Sequence, residues 1–117
     1  MQGSYLGPNF DQNKIEKELE LIGATFEVVD YDTLINRTTD YLSKEKAIGW
    51  FQGRMEFGPR ALGARSILGD PRSDTMQKNL NLKVKYRESF RPFAPSILKE
   101  ELSNWFNMQV DSPYMLL

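Results

Sequence analysis

The chain has 117 residues, 40% of them hydrophobic and 26% charged, which is one ordinary domain's worth of sequence with room for a modest core. Cysteine and histidine are both absent, which excludes disulfides, thiolate chemistry, the usual zinc sites and the Ser-His-Asp arrangement. The net charge of −1 hides an uneven spread: residues 1–50 carry nine acidic and five basic side chains, residues 51–98 four acidic and nine basic, and residues 99–117 three acidic and one basic. Positive charge gathers in the middle of the chain, so an anion is the simplest partner.

The first residues lack the basic start and long apolar run of a signal peptide, and no stretch is long and apolar enough to span a membrane, so a cytoplasmic protein without a membrane partner is expected. Residues 3–10 read as a loop from their Gly-Ser and Gly-Pro content. A helix is predicted from residue 11 or 13 to residue 22. Asn13 and Glu16 have capping-box spacing, Ile15, Leu19 and Ile22 share a face, and Gly23 is a natural stop. Residues 25–29 are rich in β-formers and predict a strand. Asp30 or Asp32 then caps a second helix with Leu34, Ile35, Tyr41 and Leu42 as its apolar positions. Residues 47–51 form a short apolar run before a glycine and predict a buried strand, with Trp50 and Phe51 in the core. Strand, crossover helix and strand in that order predict a parallel pairing. Residues 66–68 suggest a further strand, Asp70-Pro71 a turn, and residues 74–82 a helix with Met76, Leu80 and Val84 as apolar contacts. A strand over 93–98, a short helix over 99–106 and the start of an apolar strand over 114–117 complete the pattern. The chain stops on that apolar run, which reads as a domain cut short or one that finishes its sheet with a partner.

Chemistry concentrates in two segments. Residues 53–68 read Gly-Arg-Met-Glu-Phe-Gly-Pro-Arg-Ala-Leu-Gly-Ala-Arg-Ser-Ile-Leu, with Arg54, Arg60 and Arg65 spaced through glycines and a proline. The segment has neither a helical apolar face nor strand alternation, so it reads as a loop that can approach a ligand closely. Arginine forks suit phosphate or carboxylate oxygens. Arg60 and Arg65 are candidates for anion contact, or else salt-bridge partners of Glu56 or Asp70. Arg54 is a candidate ligand or a cap on a strand end, and Ser66 a hydroxyl donor to phosphate or a strand-edge serine. Glu56 has three readings (orienting an arginine, assisting magnesium, or bonding a carbamoyl amide), of which the first is favoured. The second segment reads Lys-Tyr-Arg-Glu-Ser-Phe-Arg-Pro-Phe-Ala-Pro from residue 85. If extended, it places Lys85 and Arg87 on one face, and Pro92 disfavours helix at Arg91. A solvated basic face paired with Glu88 is the plainer alternative. Met55, Phe57, Phe90 and Phe93 read as core residues. Trp105 and Phe106 suit internal packing or a partner domain.

These two segments resemble the signatures of the carbamoyltransferase family that includes the nodulation-protein, tobramycin and cephamycin O-carbamoyltransferases. Ser4-Tyr5-Leu6-Gly7-Pro8 is similar to the start of that family's C-terminal domain, so the resemblance runs over nearly the whole chain. It implies an α/β domain of YrdC/Sua5-like fold, a twisted mixed sheet with flanking helices, occupying residues 1–117. An Asn-Thr-Ser-Phe-Asn segment found later in such domains is missing, which implies truncation at the C-terminal end. The implied activity is formation of carbamoyl-adenylate from carbamoyl phosphate and ATP, with Mg2+ accompanying ATP. A separate N-terminal Kae1-like domain would then move the carbamoyl group to an acceptor hydroxyl. The resemblance assigns catalytic roles to Arg60, Arg65, Lys85 and Arg87. It assigns substrate or nucleotide binding to Arg54, Ser66 and Arg91, with no metal ligand. Lys85, Arg87 and Arg91 match the basic triplet that grips phosphates in YrdC-like domains. Two other readings remain open: RNA binding through the basic, aromatic-interleaved segment, and a non-catalytic docking or dimerisation role.

Overall fold

A computed structural model describes residues 3–116 and shows a mixed α/β chain divided into two compact units, one ending at Asp70 and the other starting at Pro71. The first unit opens with α1, Gln12–Leu21, started by the Asp11 carboxylate, which accepts the Lys14 N–H at 2.8 Å. Its end is a Schellman turn. Gly23 adopts φ +69, its N–H reaches the Glu20 carbonyl, and the Ala24 N–H reaches that of Leu19. The second helix, α2 at Tyr31–Ser43, repeats the plan. Asp30 accepts the Thr33 N–H, and Glu45 takes the left-handed position that Gly23 fills in α1. Asp11 rather than Asn13 is the cap of α1, and Asp30 rather than Asp32 that of α2.

The strand expected over 25–29 does not form. That run has no ladder partner among the described residues; an ion pair from Glu27 to Arg37 of α2 ties it down instead. Strand β1, Ile48–Phe51, pairs antiparallel with β2, Arg65–Leu68, with Ile48 opposite Leu68 and Phe51 opposite Arg65. The expected parallel crossover is therefore replaced by a hairpin. β-propensity marked the right segments, but the neighbour of β1 comes from downstream, and local sequence says nothing about that choice. The connection between the two strands, residues 52–64, is the Gly/Arg segment itself.

That connection is laced to the chain's opening segment. Gly7 N–H donates to the Met55 carbonyl, Met55 N–H to that of Pro8, and Phe57 N–H to that of Ser4, at 2.9, 2.9 and 2.6 Å. A Cβ on Gly7 would sit 3.0 Å from the Met55 oxygen, so the two backbones approach this closely only because residue 7 is glycine.

In the second unit, Ser73 Oγ accepts the Met76 N–H and α3 runs over Met76–Asn79. The helix expected over 74–82 then widens into a π turn, Leu80–Val84, closed by Lys85 N–H on the Leu80 carbonyl at 2.9 Å. Residues 93–98 form no strand. A 3-10 turn at Lys99–Glu101 leads into α4, Leu102–Trp105, close to the helix expected there. Residues 114–116 turn rather than extend, and residue 117 of that expected strand lies outside the described range.

Ala64 is the buried apolar residue of the first unit, and Met76 and Leu80 those of the second. Neither α1 nor α2 buries a residue. Phe51, Phe57, Phe90 and Trp105 are exposed, against the core placement expected for the first three, while Trp50 and Phe93 are half-buried. The buried positions belong instead to small or polar residues around the two basic segments, including Ser4, Glu56 and Asn81.

Candidate functional site

The Gly/Arg connection is organised around a carboxylate. Glu56 is 5% exposed, and its Oε1 accepts the backbone N–H groups of Leu62 and Ala64 at 2.7 Å each and of Arg65 at 3.3 Å. Burial pushes this carboxyl upward, but the N–H groups of Glu56 itself, Leu62, Ala64 and Arg65 outweigh it and hold the group below its ordinary range. Glu56 was expected to orient an arginine. It binds backbone amides instead, and so fixes the path of residues 56–65.

Arg65 and Arg54 are committed to carbonyls. Arg65 Nη1 donates to Gln52 O and Ala64 O at 3.0 and 2.8 Å, and Nη2 to Gly53 O at 3.1 Å. Its Cζ lies 3.4 Å from the centre of the Phe51 ring. The Phe51 ring is 6.1 Å from that of Phe10, over which Lys14 Nζ sits at 5.0 Å. Cations and rings thus alternate along this flank of the unit. Arg54 Nη1 donates to the Gly7 carbonyl at 2.9 Å. Arg54 also lines a shallow open cleft with Tyr5, Gln52, Gly53 and Ala64, and the Tyr5 hydroxyl donates to Leu62 O. Neither arginine forms the salt bridge to Glu56 that sequence left open. Ser66 Oγ accepts the Gly63 N–H at 3.0 Å, closing the loop beside β2.

Arg60 stands apart. It is exposed at the far side of the loop and has no hydrogen bond or ion pair among the described residues. A loop whose amides are fixed, and whose other arginines brace it, therefore presents one guanidinium with its donors open.

The second basic segment follows the π turn directly. Lys85 closes that turn in helical geometry and Tyr86 adopts φ +49, so Lys85 and Arg87 do not share the face of an extended strand. Asn81 is fully buried at the centre of the turn. Its Nδ2 donates to Ser89 O at 3.2 Å and Arg91 O at 2.8 Å, its carbonyl accepts the Arg87 N–H, and its Oδ1 accepts Arg87 Nε at 2.7 Å. Gln77 Nε2 supports the same stretch through Phe90 O and Arg91 O. The Arg87 guanidinium also lies 5.0 Å from the Phe93 ring centre. Arg91 pairs with Glu88 at 2.8 Å on the surface. That carboxyl is held low first by its own N–H and then by Arg91. The Lys85 ammonium has no partner among the described residues.

Sequence reasoning found the cations but missed Asn81 and misread Glu56. Both act on backbone groups, which carry no residue identity to read. The one available signal for Asn81 was a polar residue on the buried face of a predicted helix.

Both segments fall within residues 39–117, which match the model of the carbamoyltransferase C-terminus family. An uncharacterised protein of Synechocystis is 52% identical over the whole chain, which covers 19% of that protein. Nodulation protein NolNO of Sinorhizobium fredii is 43% identical over 92% of the chain and 16% of its own length. The 3'-hydroxymethylcephem-O-carbamoyltransferase of Streptomyces clavuligerus is 43% identical over 64% of the chain and 14% of its own length. The chain thus spans under a fifth of these relatives. Among the described residues no helix is long and apolar enough to cross a membrane. The chain belongs to the carbamoyltransferase C-terminus family.

Proposed function

We propose that residues 1–117 are the adenylate-forming, YrdC-like part of a cytoplasmic O-carbamoyltransferase, acting on carbamoyl phosphate and ATP. Transfer to an acceptor hydroxyl falls to a Kae1-like domain elsewhere in the same protein. The observation that carries this reading is the division of labour in the basic segments: Arg54 and Arg65 are tied to carbonyls, whereas Arg60 and Lys85 have no partner among the described residues. Open cations on a braced loop suit a reaction that must hold two polyanions together. Fixed donors offset their repulsion and stabilise charge in the transition state with little covalent chemistry from the protein. Arg87 and Arg91 join Lys85 as phosphate contacts, and Ser66 keeps the loop closed beside them in sequence.

Among the described residues no group of three or more acidic side chains converges as a metal site requires. The side chains of this chain therefore do not fit as ligands of Mg2+, and no step is assigned to it.

Calorimetric titration with carbamoyl phosphate and ATP, separately and together at two salt concentrations, tests the proposal. Saturable binding of both is expected, tighter for ATP when carbamoyl phosphate is present. Arg60→Ala should weaken it by about tenfold, the loss of one charge-assisted contact. Absence of binding by the folded chain, or equal affinity in Arg60→Ala, overturns the reading. Tight RNA binding with a steep salt dependence would replace it with the nucleic-acid alternative.

A further inference from the structure

The fully buried Asn81 has a hydrogen-bond pattern that goes beyond packing. We propose that Asn81 is the positioning residue for Arg87: it clamps the inner edge of that guanidinium and leaves the outer Nη1/Nη2 edge to receive an anion. This deepens the proposed function and rests on the reading of Arg87 as an anion contact.

The argument begins with the amide's orientation. Arg87 Nε is a donor and Ser89 O and Arg91 O are acceptors, so only one placement of the Asn81 amide satisfies all three. Oδ1 must face the guanidinium, and the two hydrogens of Nδ2 must face the carbonyls. Every donor on the amide nitrogen is therefore in use, at a residue with no exposed surface.

The geometry of the guanidinium follows from this. A guanidinium is a planar fork with five N–H donors. With Nε held at 2.7 Å, and the Arg87 backbone N–H held by the Asn81 carbonyl, both ends of the side chain are fixed to one residue. The Phe93 ring beside the guanidinium further limits its plane. No described group accepts from Nη1 or Nη2. Those two nitrogens form the edge that matches two oxygens of a phosphate or carboxylate. A freely rotating arginine must be ordered when it binds, whereas this one is ordered in advance.

The π turn explains why Asn81 can do this. Its wider ring places the backbone of residue 81 close enough to the following loop for one side chain to reach both residue 87 and residue 91. Such turns concentrate at functional positions. The partner carbonyls lie on either side of Phe90, so the loop and the arginine are set by the same amide.

The test is a double-mutant cycle on the 117-residue chain, with carbamoyl phosphate and ATP as titrants. Asn81→Ala alone should weaken anion binding by about tenfold, and by less than about twofold in an Arg87→Ala background, because coupled residues are not additive. A merely structural asparagine would give the same loss in both backgrounds, which overturns the inference. If Arg87→Ala binds as tightly as the parent, the anion role of Arg87 fails and the inference falls with it. If Arg87→Ala weakens binding and a folded Asn81→Ala does not, the inference alone fails.

A measurement on the parent chain guards against a variant that does not fold. In nitrogen-15 spectra, the Arg87 Nε–H signal, identified by its absence from Arg87→Ala, should be protected from exchange, unlike that of the exposed Arg60. A rapidly exchanging Arg87 Nε–H would show that the clamp does not exist in solution.

Discussion

The two basic segments solve the same problem from opposite sides of the peptide group. In residues 52–65 a carboxylate collects backbone N–H groups, and the arginines near it reach for carbonyls. In residues 80–91 a carboxamide donates to carbonyls and accepts from the arginine directly. The first device is charged and acts on the loop, so any cation it serves is positioned at one remove. The second is neutral and touches its cation. A charged organiser beside an anion site would oppose the ligand unless amides screened it, as those around Glu56 do. A neutral organiser can stand in contact with the guanidinium without that conflict.

This contrast can be broken by substitution. The largest effect is expected at Glu56. Glu56→Ala leaves buried N–H groups at residues 62 and 64 without a partner and should cost about 2–3 kcal/mol in denaturant unfolding. The Glu56 carboxyl is held below its ordinary value of 4.5, so its contribution is complete above that value and is lost as pH falls through the lower folded value. Glu56→Gln should therefore flatten the acid limb of the stability profile. An unchanged acid limb would show that the carboxylate charge is not what holds the loop.

A smaller effect sharpens the difference between brace and ligand. Arg65→Ala should lower stability by about 1–2 kcal/mol through lost carbonyl bonds and ring stacking. Arg60→Ala should change stability by less than about 0.5 kcal/mol, as for a surface residue without contacts. Equal stability losses would erase the distinction drawn between them. The smallest effect belongs to the exposed Glu88–Arg91 pair, where Glu88→Ala should leave the melting temperature within error. A clear drop would mean that this pair, and not Asn81 alone, shapes the loop.

Much of this was legible in the sequence. Asp11, Asp30 and Gly23 announced the helix ends because capping uses local chemistry that a few neighbouring residues specify. Both strands of the hairpin were marked by their β-formers. The pairing was not legible, since the choice between residues 25–29 and 65–68 as the neighbour of β1 depends on contacts distant in sequence. The spacing of Met76 and Leu80 was read correctly as buried, but helical spacing cannot show where an α-helix widens into a π turn. The cationic residues stood out by type. Which of them are braces and which are open depends on carbonyl oxygens that every residue carries.

The π turn has a consequence for how this chain tolerates changes in length. A π ring encloses one residue more than an α ring, and each residue of an α-helix turns the axis by about 100°. Deleting a single position within residues 80–84 would let the ordinary ladder close. Lys85 and all that follows would then swing by about that angle about the helix axis. Between Leu80 and Lys85, therefore, a one-residue deletion would re-aim the following cations rather than merely shorten a loop.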